Sequence, residues 1–157
     1  MNEQIQRYNE THLPALRAKF QCQVLAGGDS EYDAARRVWN GMIDRKPAMV
    51  VRATGIADVM QAVRIAHDQM LAVCVRGGGH SVAGKSVAND AMMIDLSLMN
   101  GVEINPRTRS AVAQGGAKFA EFDRECERYQ LATTGGVISS TGVCGLTLGG
   151  GLGWLMG

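Results

Sequence analysis

The stretch Arg76-Gly77-Gly78-Gly79-His80-Ser81-Val82-Ala83-Gly84 decides the fold of this chain. The apolar run 71–75 before it predicts a strand that ends at a basic residue and three glycines. Glycine has no Cβ and accepts positive φ, so its backbone is able to lie directly against a phosphate or another anion. His80 and Ser81 add a reactive ring and a hydroxyl. The stretch is therefore either a ligand-binding loop or an ordinary glycine turn with a surface histidine.

The composition limits the function classes. The chain has 157 residues, which suits one domain or two small domains that share a core. Sixteen Lys and Arg against fifteen Asp and Glu leave the net charge near zero, which argues against a nucleic-acid or acidic-lipid surface. Twenty glycines exceed average usage and concentrate in two clusters, so they predict bare backbone at defined positions rather than a linker.

The cysteines and the first residues bear on the cellular compartment. Cys22, Cys74, Cys126 and Cys144 have no metal-binding spacing and are interpreted as buried, reduced thiols, so no metal site is predicted. Residues 1–20 carry five charged side chains and no apolar core typical of a secretory signal. Both features favour a cytoplasmic location.

A β-α-β unit leads into the glycine loop. Strands are predicted at 48–52 and 71–75 with a helix over 55–70 between them, and a further strand follows at 92–96. In a Rossmann unit the glycines follow the first strand and open a helix, whereas here they follow the second strand and lead toward another strand. The sequence therefore predicts that loop backbone, rather than a helix N-terminus, receives a phosphate.

Shorter patterns predict the remaining elements. In chain order these are a peripheral helical stretch at 2–19 interrupted by Pro14, a strand at 23–26, a helix at 31–39, a hairpin of 101–104 with 110–114, and a helix at 118–131. The last helix carries Phe119, Phe122, Cys126 and Tyr129 on one stripe, which we interpret as core packing.

The stretch 133–155 carries no charged residue and is rich in Gly, Ser and Thr. It is long enough to cross a membrane but less apolar than a typical transmembrane helix, so a membrane anchor is the weaker interpretation. The stronger one is a second stretch of bare backbone, because each glycine removes a side chain that a ligand would contact. Two glycine clusters in one domain indicate one long ligand.

Together the two clusters resemble a known family. Arg76–Gly84, followed later by the run TGVCGLTLGGGLGWL at 141–155, is similar to the PCMH-type FAD-binding domain of the vanillyl-alcohol oxidase superfamily, and within it to the berberine-bridge-enzyme-like oxidoreductases. Further matching positions are Asp29, Tyr32, Trp39, Asn40, Pro47, Ala57, Asp58, Val59, Asp95, Leu96 and Ser97.

The resemblance implies an α+β fold with a two-lobed FAD cradle. Its parts would be an N-terminal helical segment at 1–46, a first lobe at 47–104, and a second lobe at 105–157 that is expected to be incomplete. Members of the family continue into the rest of the FAD domain and a substrate domain. The chain is therefore expected to be a fragment of a longer oxidoreductase or a truncated reading frame.

The resemblance also implies how the cofactor is held. The FAD pyrophosphate would lie between the glycine loops, and His80 matches the histidine that is linked covalently to the flavin 8α-methyl group. A second, cysteinyl link would fall near Ile138, and Cys144 lies beyond that position, so a single histidyl attachment is expected. The residues expected to contact FAD are Arg76, Gly77, Gly78, Gly79, His80, Ser81, Val82, Gly84, Val137, Ser140, Thr141, Gly142, Gly145, Leu146, Gly149, Gly150 and Gly151.

The implied function is FAD binding as the cofactor domain of an FAD-linked oxidase or dehydrogenase, with hydride passing from a substrate carbon to flavin N5. The alternatives are a flavin-binding module without activity and a membrane-associated protein anchored by 133–155. No catalytic residue is assigned, because His12 and His67 are expected on the surface. A small-molecule substrate is expected only with the substrate domain supplied, and neither nucleic acid nor a membrane is an expected partner. The chain alone is not expected to oxidise a substrate.

Overall fold

The computed structural model describes residues 13–155. Its elements in chain order are α1 (13–17), β1 (Gln23–Ala26), α2 (Tyr32–Ala35), β2 (Met49–Arg52), α3 (Ile56–Asp68), β3 (Val73–Arg76), β4 (Met92–Asp95), β5 (Val102–Asn105), β6 (Ser110–Ala113), α4 (Phe119–Glu127) and α5 (Val143–Gly149). The fold is α+β, as predicted. The predicted helical stretch 2–19 lies mostly outside the described residues, and Pro14 is itself helical within α1.

Four strands form the main sheet, in the order β1-β2-β4-β3. β2, β4 and β3 run parallel, and β1 pairs with β2 in the antiparallel direction. The predicted β-α-β unit is confirmed, since α3 connects β2 to β3. However, β4 lies between these two strands in the sheet, so the glycine loop after β3 starts at a sheet edge.

β2 and β4 are buried on both faces of the sheet, which explains why the first three residues of each strand are all apolar. Successive side chains of a strand point to opposite faces. Val51 and Ile94 pack with α3 in one core cluster, whereas Val50 and Met93 pack with Tyr32 in the other. Two cores therefore support the sheet from its two sides.

Helix α3 covers one face of the sheet through Ala62, Ile65 and Ala66, while Val63 on the same helix is half-exposed. At the start of the helix, Thr54 donates to Asp58 Oδ2 from its backbone nitrogen at 2.9 Å and from its hydroxyl at 2.8 Å. Burial alone raises the pKa of Asp58, but these and further hydrogen bonds outweigh it and hold the pKa below its usual value.

The hairpin of β5 and β6 is confirmed, and α4 packs beside it. Phe119, Phe122 and Cys126 are buried, as predicted for the apolar stripe. The helix ends at Glu127 instead of residue 131, so Tyr129 leaves the stripe and is half-exposed, which corrects the sequence prediction.

Two further predictions need correction. Residues 143–149 form helix α5, although no helix was predicted in the glycine-rich stretch, where glycine disfavours one. The four cysteines are free, but only Cys74 and Cys126 are buried; Cys22 and Cys144 are partly exposed. Burial, and then the charge of Asp58, raise the pKa of Cys22 to about 11.

No helix among residues 13–155 has the length and apolar character needed to cross a membrane. The predicted domain limits remain a prediction. Strand β1 comes from the segment 1–46 and joins the main sheet, and the limit between 104 and 105 passes through β5.

Candidate cofactor-binding cleft

A cleft of about 650 Å³ separates the glycine loop that follows β3 from the segment around α5. This volume lies within the range of about 300–1,000 Å³ that is typical of small-molecule sites. Most of the predicted contact residues line it, namely Gly77, Gly78, Gly79, His80, Ser81, Val82, Val137, Thr141, Gly142, Gly145, Leu146, Gly149 and Gly150.

Four predicted contact residues do not line the cleft: Arg76, Gly84, Ser140 and Gly151. Gly151 lines a neighbouring cavity of about 490 Å³ beside α4. Seven further lining residues were not predicted, and their only signal was that each lies within two positions of a predicted contact residue. They are Val75, Ala83, Lys85, Ser86, Gly136, Ile138 and Leu152.

Arg76 serves the sheet rather than the cleft. Its Nη1 donates to the Ala35 carbonyl at 2.5 Å and lies 3.8 Å from Asp95 Oδ2. Arg52, Asp95 and Arg76 are directly opposite one another on the three parallel strands, so the buried carboxylate lies between two guanidinium groups. The placement of Arg76 in this ion pair therefore gives no support to its predicted contact with FAD.

The two glycine clusters touch each other through backbone. A Cβ on Gly78 would overlap the backbone nitrogen of Gly142, and a Cβ on Gly142 would come within 2.5 Å of the backbone nitrogen of Gly78. A Cβ on Gly77 would lie 2.7 Å from the Gly115 carbonyl oxygen. These glycines are therefore required by the contact between loops, whether or not a ligand is present.

Residues 39–45 hold the glycine loop from outside. The backbone nitrogen of Trp39 donates to the Gly79 carbonyl at 2.9 Å, and Asn40 Nδ2 donates to the Val82 carbonyl at 2.8 Å. Arg45 Nη1 donates to the Gly84 carbonyl at 2.7 Å. Gly84 has a φ of +67°, so its place in the motif follows from backbone geometry.

His80 lies between the two parts of the cleft. Its ring stacks on Trp39, with 4.7 Å between ring centroids and 20° between ring planes. Its Nε2 lies 3.3 Å from Ser140 Oγ, so Ser140 lies beside the histidine although it does not line the cleft. One ring face and one ring nitrogen of His80 are thus engaged, and the residue also lines the cavity.

The residues of the cleft fit a long ligand with a phosphate-rich middle. A Cβ added to Gly145, Gly149 or Gly150 would meet no atom of residues 13–155 within 4 Å, so bare backbone faces open space there. Ser86 Oγ is buried beside the cleft without a hydrogen-bond partner among the described residues. Lys85 contributes a positive charge to the lining. Bare backbone, an unpaired hydroxyl and a cation suit a dinucleotide pyrophosphate.

The fold and the cleft together define a nucleotide-cofactor-binding α+β domain. A family model described as "FAD binding domain" matches residues 47–157. The chain belongs to this family of FAD-binding domains, found in FAD-linked oxidoreductases of the vanillyl-alcohol oxidase superfamily that include berberine-bridge-enzyme-like proteins.

Individual members of this family are similar to the chain in both sequence and structure. (R)-6-hydroxynicotine oxidase of Paenarthrobacter nicotinovorans is 33% identical over 135 residues, which cover 86% of this chain and 30% of that protein. The crystal structure of 6-hydroxy-D-nicotine oxidase from Arthrobacter nicotinovorans superimposes with a TM-score of 0.83 at 33% identity, over 87% of this chain and 30% of that one. BBE-like 1 of Physcomitrella patens gives a TM-score of 0.82 at 26% identity, over 90% of this chain and 31% of that one. The chain thus spans about 30% of the length of each of these relatives.

Proposed function

We propose that the cleft binds one FAD and that the chain is the cofactor part of an FAD-linked oxidoreductase. The observation that carries this proposal is the placement of Gly145 and Gly149. Both lie in α5, where glycine weakens a helix, and both face open space in the cleft rather than protein. A ligand that lies against the helix backbone explains them.

The cleft residues have separate roles toward FAD. Backbone at Gly79 and Gly150 would lie beside the pyrophosphate, and Lys85 would offset its charge. The unpaired Ser86 hydroxyl would find an acceptor in a bound phosphate or ribose oxygen. Apolar side chains such as Val137 would cover the remaining ligand surface.

We further propose that His80 becomes covalently attached to the flavin. In this step a ring N–H of His80 and one C–H of the 8α-methyl group are broken, and an N–C bond forms. The two protons and two electrons released would pass to the flavin and from it to dioxygen, which would give hydrogen peroxide. The nucleophilicity of neutral imidazole and the position of His80 in the cleft lining support this proposal.

Bound FAD supplies two-electron oxidation, in which a hydride is accepted from a substrate carbon. The names of the relatives, which are oxidases and FAD-linked oxidoreductases, support this activity for the whole protein. The second candidate is a flavin-binding module without activity of its own, which is favoured by the cleft lining, where His80 and Lys85 are the titratable side chains among the described residues besides the hydroxyls. A reducing cytoplasmic location is proposed as well, and the four free thiols support it.

The intact mass of the purified chain tests the proposal. A gain of one FAD after denaturation is expected for the wild type, and acid precipitation should leave the flavin with the protein. His80→Ala should release all of its flavin into the acid supernatant. His67→Ala is the matched control, because the His67 side chain is 86% exposed and lies on α3, away from the cleft. Acid-stable flavin on the His80 variant would show that attachment occurs elsewhere, and a wild type without flavin would refute FAD binding.

A further inference from the structure

The His80 ring is held by a residue outside the part of the chain that the family model matches. That match begins at residue 47, whereas the ring that stacks on His80 belongs to Trp39. The two rings lie 4.7 Å apart at an angle of 20°, which is a stacked geometry with overlapping faces. A residue before 47 therefore contacts a side chain that lines the cleft, although it does not line the cleft itself.

Packing into the core does not account for this tryptophan. Trp39 is 61% exposed and belongs to neither of the two buried clusters that support the sheet. A tryptophan placed for burial would lose most of its contact with water. Its contact with His80 explains the position better than the hydrophobic effect does.

The backbone on both sides of His80 is tied to the same segment. Gly79, directly before it, accepts the hydrogen bond from the Trp39 backbone nitrogen at 2.9 Å. Val82, two positions after it, accepts from Asn40 Nδ2 at 2.8 Å. The indole and the imidazole therefore belong to one connected unit. A shift of the glycine loop relative to residues 39 and 40 would break these two hydrogen bonds.

A partly exposed histidine on a glycine loop otherwise has free rotation about two side-chain bonds, and ordering it costs entropy. Bond formation needs the reacting nitrogen and carbon about 3–3.5 Å apart and correctly aligned. We propose that Trp39 is a positioning residue, which fixes the plane of the His80 ring before FAD binds and so speeds attachment. This inference rests on the proposed attachment of FAD at His80.

The free chain gives the first test. It contains three histidines, so the ring protons of His80 are readily identified in an NMR spectrum by their loss in His80→Gln. Stacking over the indole should shift these protons upfield in the chain without flavin. Trp39→Ala should abolish that shift, and Trp39→Phe should keep part of it. Trp154→Ala is the matched control, because Trp154 is the other tryptophan, is 88% exposed and does not line the cleft.

The attachment rate gives the second test. Protein made under flavin limitation is mixed with FAD in air, and acid-stable flavin is measured over time. We expect attachment in Trp39→Ala to be about 10- to 100-fold slower, because a misplacement of about 1 Å changes rates by that order. Trp39→Phe should recover most of the rate, and Trp154→Ala should match the wild type. Reversible FAD affinity, compared between His80→Ala and the Trp39→Ala/His80→Ala double variant, should be unchanged.

Each result has a defined meaning. Absence of the upfield shift in the wild type, or a wild-type attachment rate in Trp39→Ala, overturns the inference. A loss of reversible FAD affinity in the double variant also overturns it, because Trp39 would then shape the cleft rather than position His80. If the wild type binds no FAD at all, the proposed function fails and the positioning role fails with it. In that case the NMR shift still shows separately whether the two rings stack.

Discussion

Gly145 lies inside a helix and faces a cleft, so helix stability and ligand binding place opposite demands on this position. A Cβ there would meet no atom of the described chain within 4 Å, and the backbone of α5 is helical. Protein packing therefore gives no reason for a residue that disfavours helices. Gly79 and Gly150 differ, because their φ values of +67° and +81° require glycine in any case.

Gly145→Ala is accordingly expected to make the protein more stable and to weaken its binding of FAD. The free energy of unfolding should rise by about 0.5–1 kcal/mol, because alanine favours the helix. Reversible FAD affinity, measured in a His80→Ala background, should fall about tenfold. An added methyl would overfill the cleft, which costs roughly 1–3 kcal/mol of binding free energy. Urea unfolding and flavin fluorescence titration measure the two effects.

Gly55→Ala is the control for this prediction. Gly55 also has no atom within 4 Å of an added Cβ, but it precedes α3 and does not line the cleft. The FAD affinity of Gly55→Ala, measured in the same His80→Ala background, should equal that of the parent protein. Unchanged affinity in Gly145→Ala would mean that no ligand lies against α5.

At the scale of elements, the start of α3 depends on one carboxylate. Asp58 is buried and accepts two hydrogen bonds from Thr54, and its pKa is held below its usual value. A carboxylate with a lowered pKa in the folded state stabilises the fold above its ordinary pKa, and that contribution is lost as the pH falls through the lowered value. The helix start should therefore weaken in acid.

Asp58→Asn is expected to reduce the free energy of unfolding by about 1.5–3 kcal/mol at pH 7, the range for hydrogen bonds to a charged group. The difference in the free energy of unfolding between Asp58→Asn and the wild type should shrink as the pH falls below 3.8, the ordinary pKa of aspartate. Urea unfolding across this pH range is the measurement. Asp68→Asn, at the exposed end of the same helix, should show only a small difference. A constant deficit for Asp58→Asn at all pH values would contradict the linkage.

The elements also show what sequence patterns are able to predict. Three successive apolar residues in each of β2 and β4 favoured the predicted strands, and both faces of these strands are buried. The insertion of β4 between β2 and β3 was not predicted, because strand order leaves no trace in periodicity. Helix α5 was missed because its glycines argue locally against a helix. The Trp39–His80 stack joins two distant segments, and no local spacing predicts such a contact.

At the scale of the whole molecule, the cleft provides a binding surface but few groups for acid–base chemistry. Among the lining residues in the described chain, His80 and Lys85 are the titratable side chains besides the serine and threonine hydroxyls. We propose that His80 serves flavin attachment. His67 is exposed on α3, as predicted, and His12 lies outside the described residues.

We therefore keep the prediction that this chain, when flavinylated, does not oxidise a substrate alone. Hydride transfer needs a substrate carbon held near N5 and a base within hydrogen-bond reach of the departing proton. Anaerobic mixing with sugars, secondary alcohols and benzylic phenols should leave the flavin absorbance unchanged. Dithionite is the control, because it should bleach any accessible flavin. Rapid bleaching by one of the substrates would show that the base and the substrate site lie within these 157 residues.

The backbone contact between Gly78 and Gly142 has a consequence for sequence evolution. A side chain at either position would overlap the backbone of the other, and neither partner has a side chain that a second mutation could shorten. A size-compensating suppressor is therefore not available at the partner position. Only a shift of a whole loop would relieve a substitution, and such a shift would change the cleft at the same time. The two glycines are thus expected to persist together in descendants of this sequence that keep the cleft.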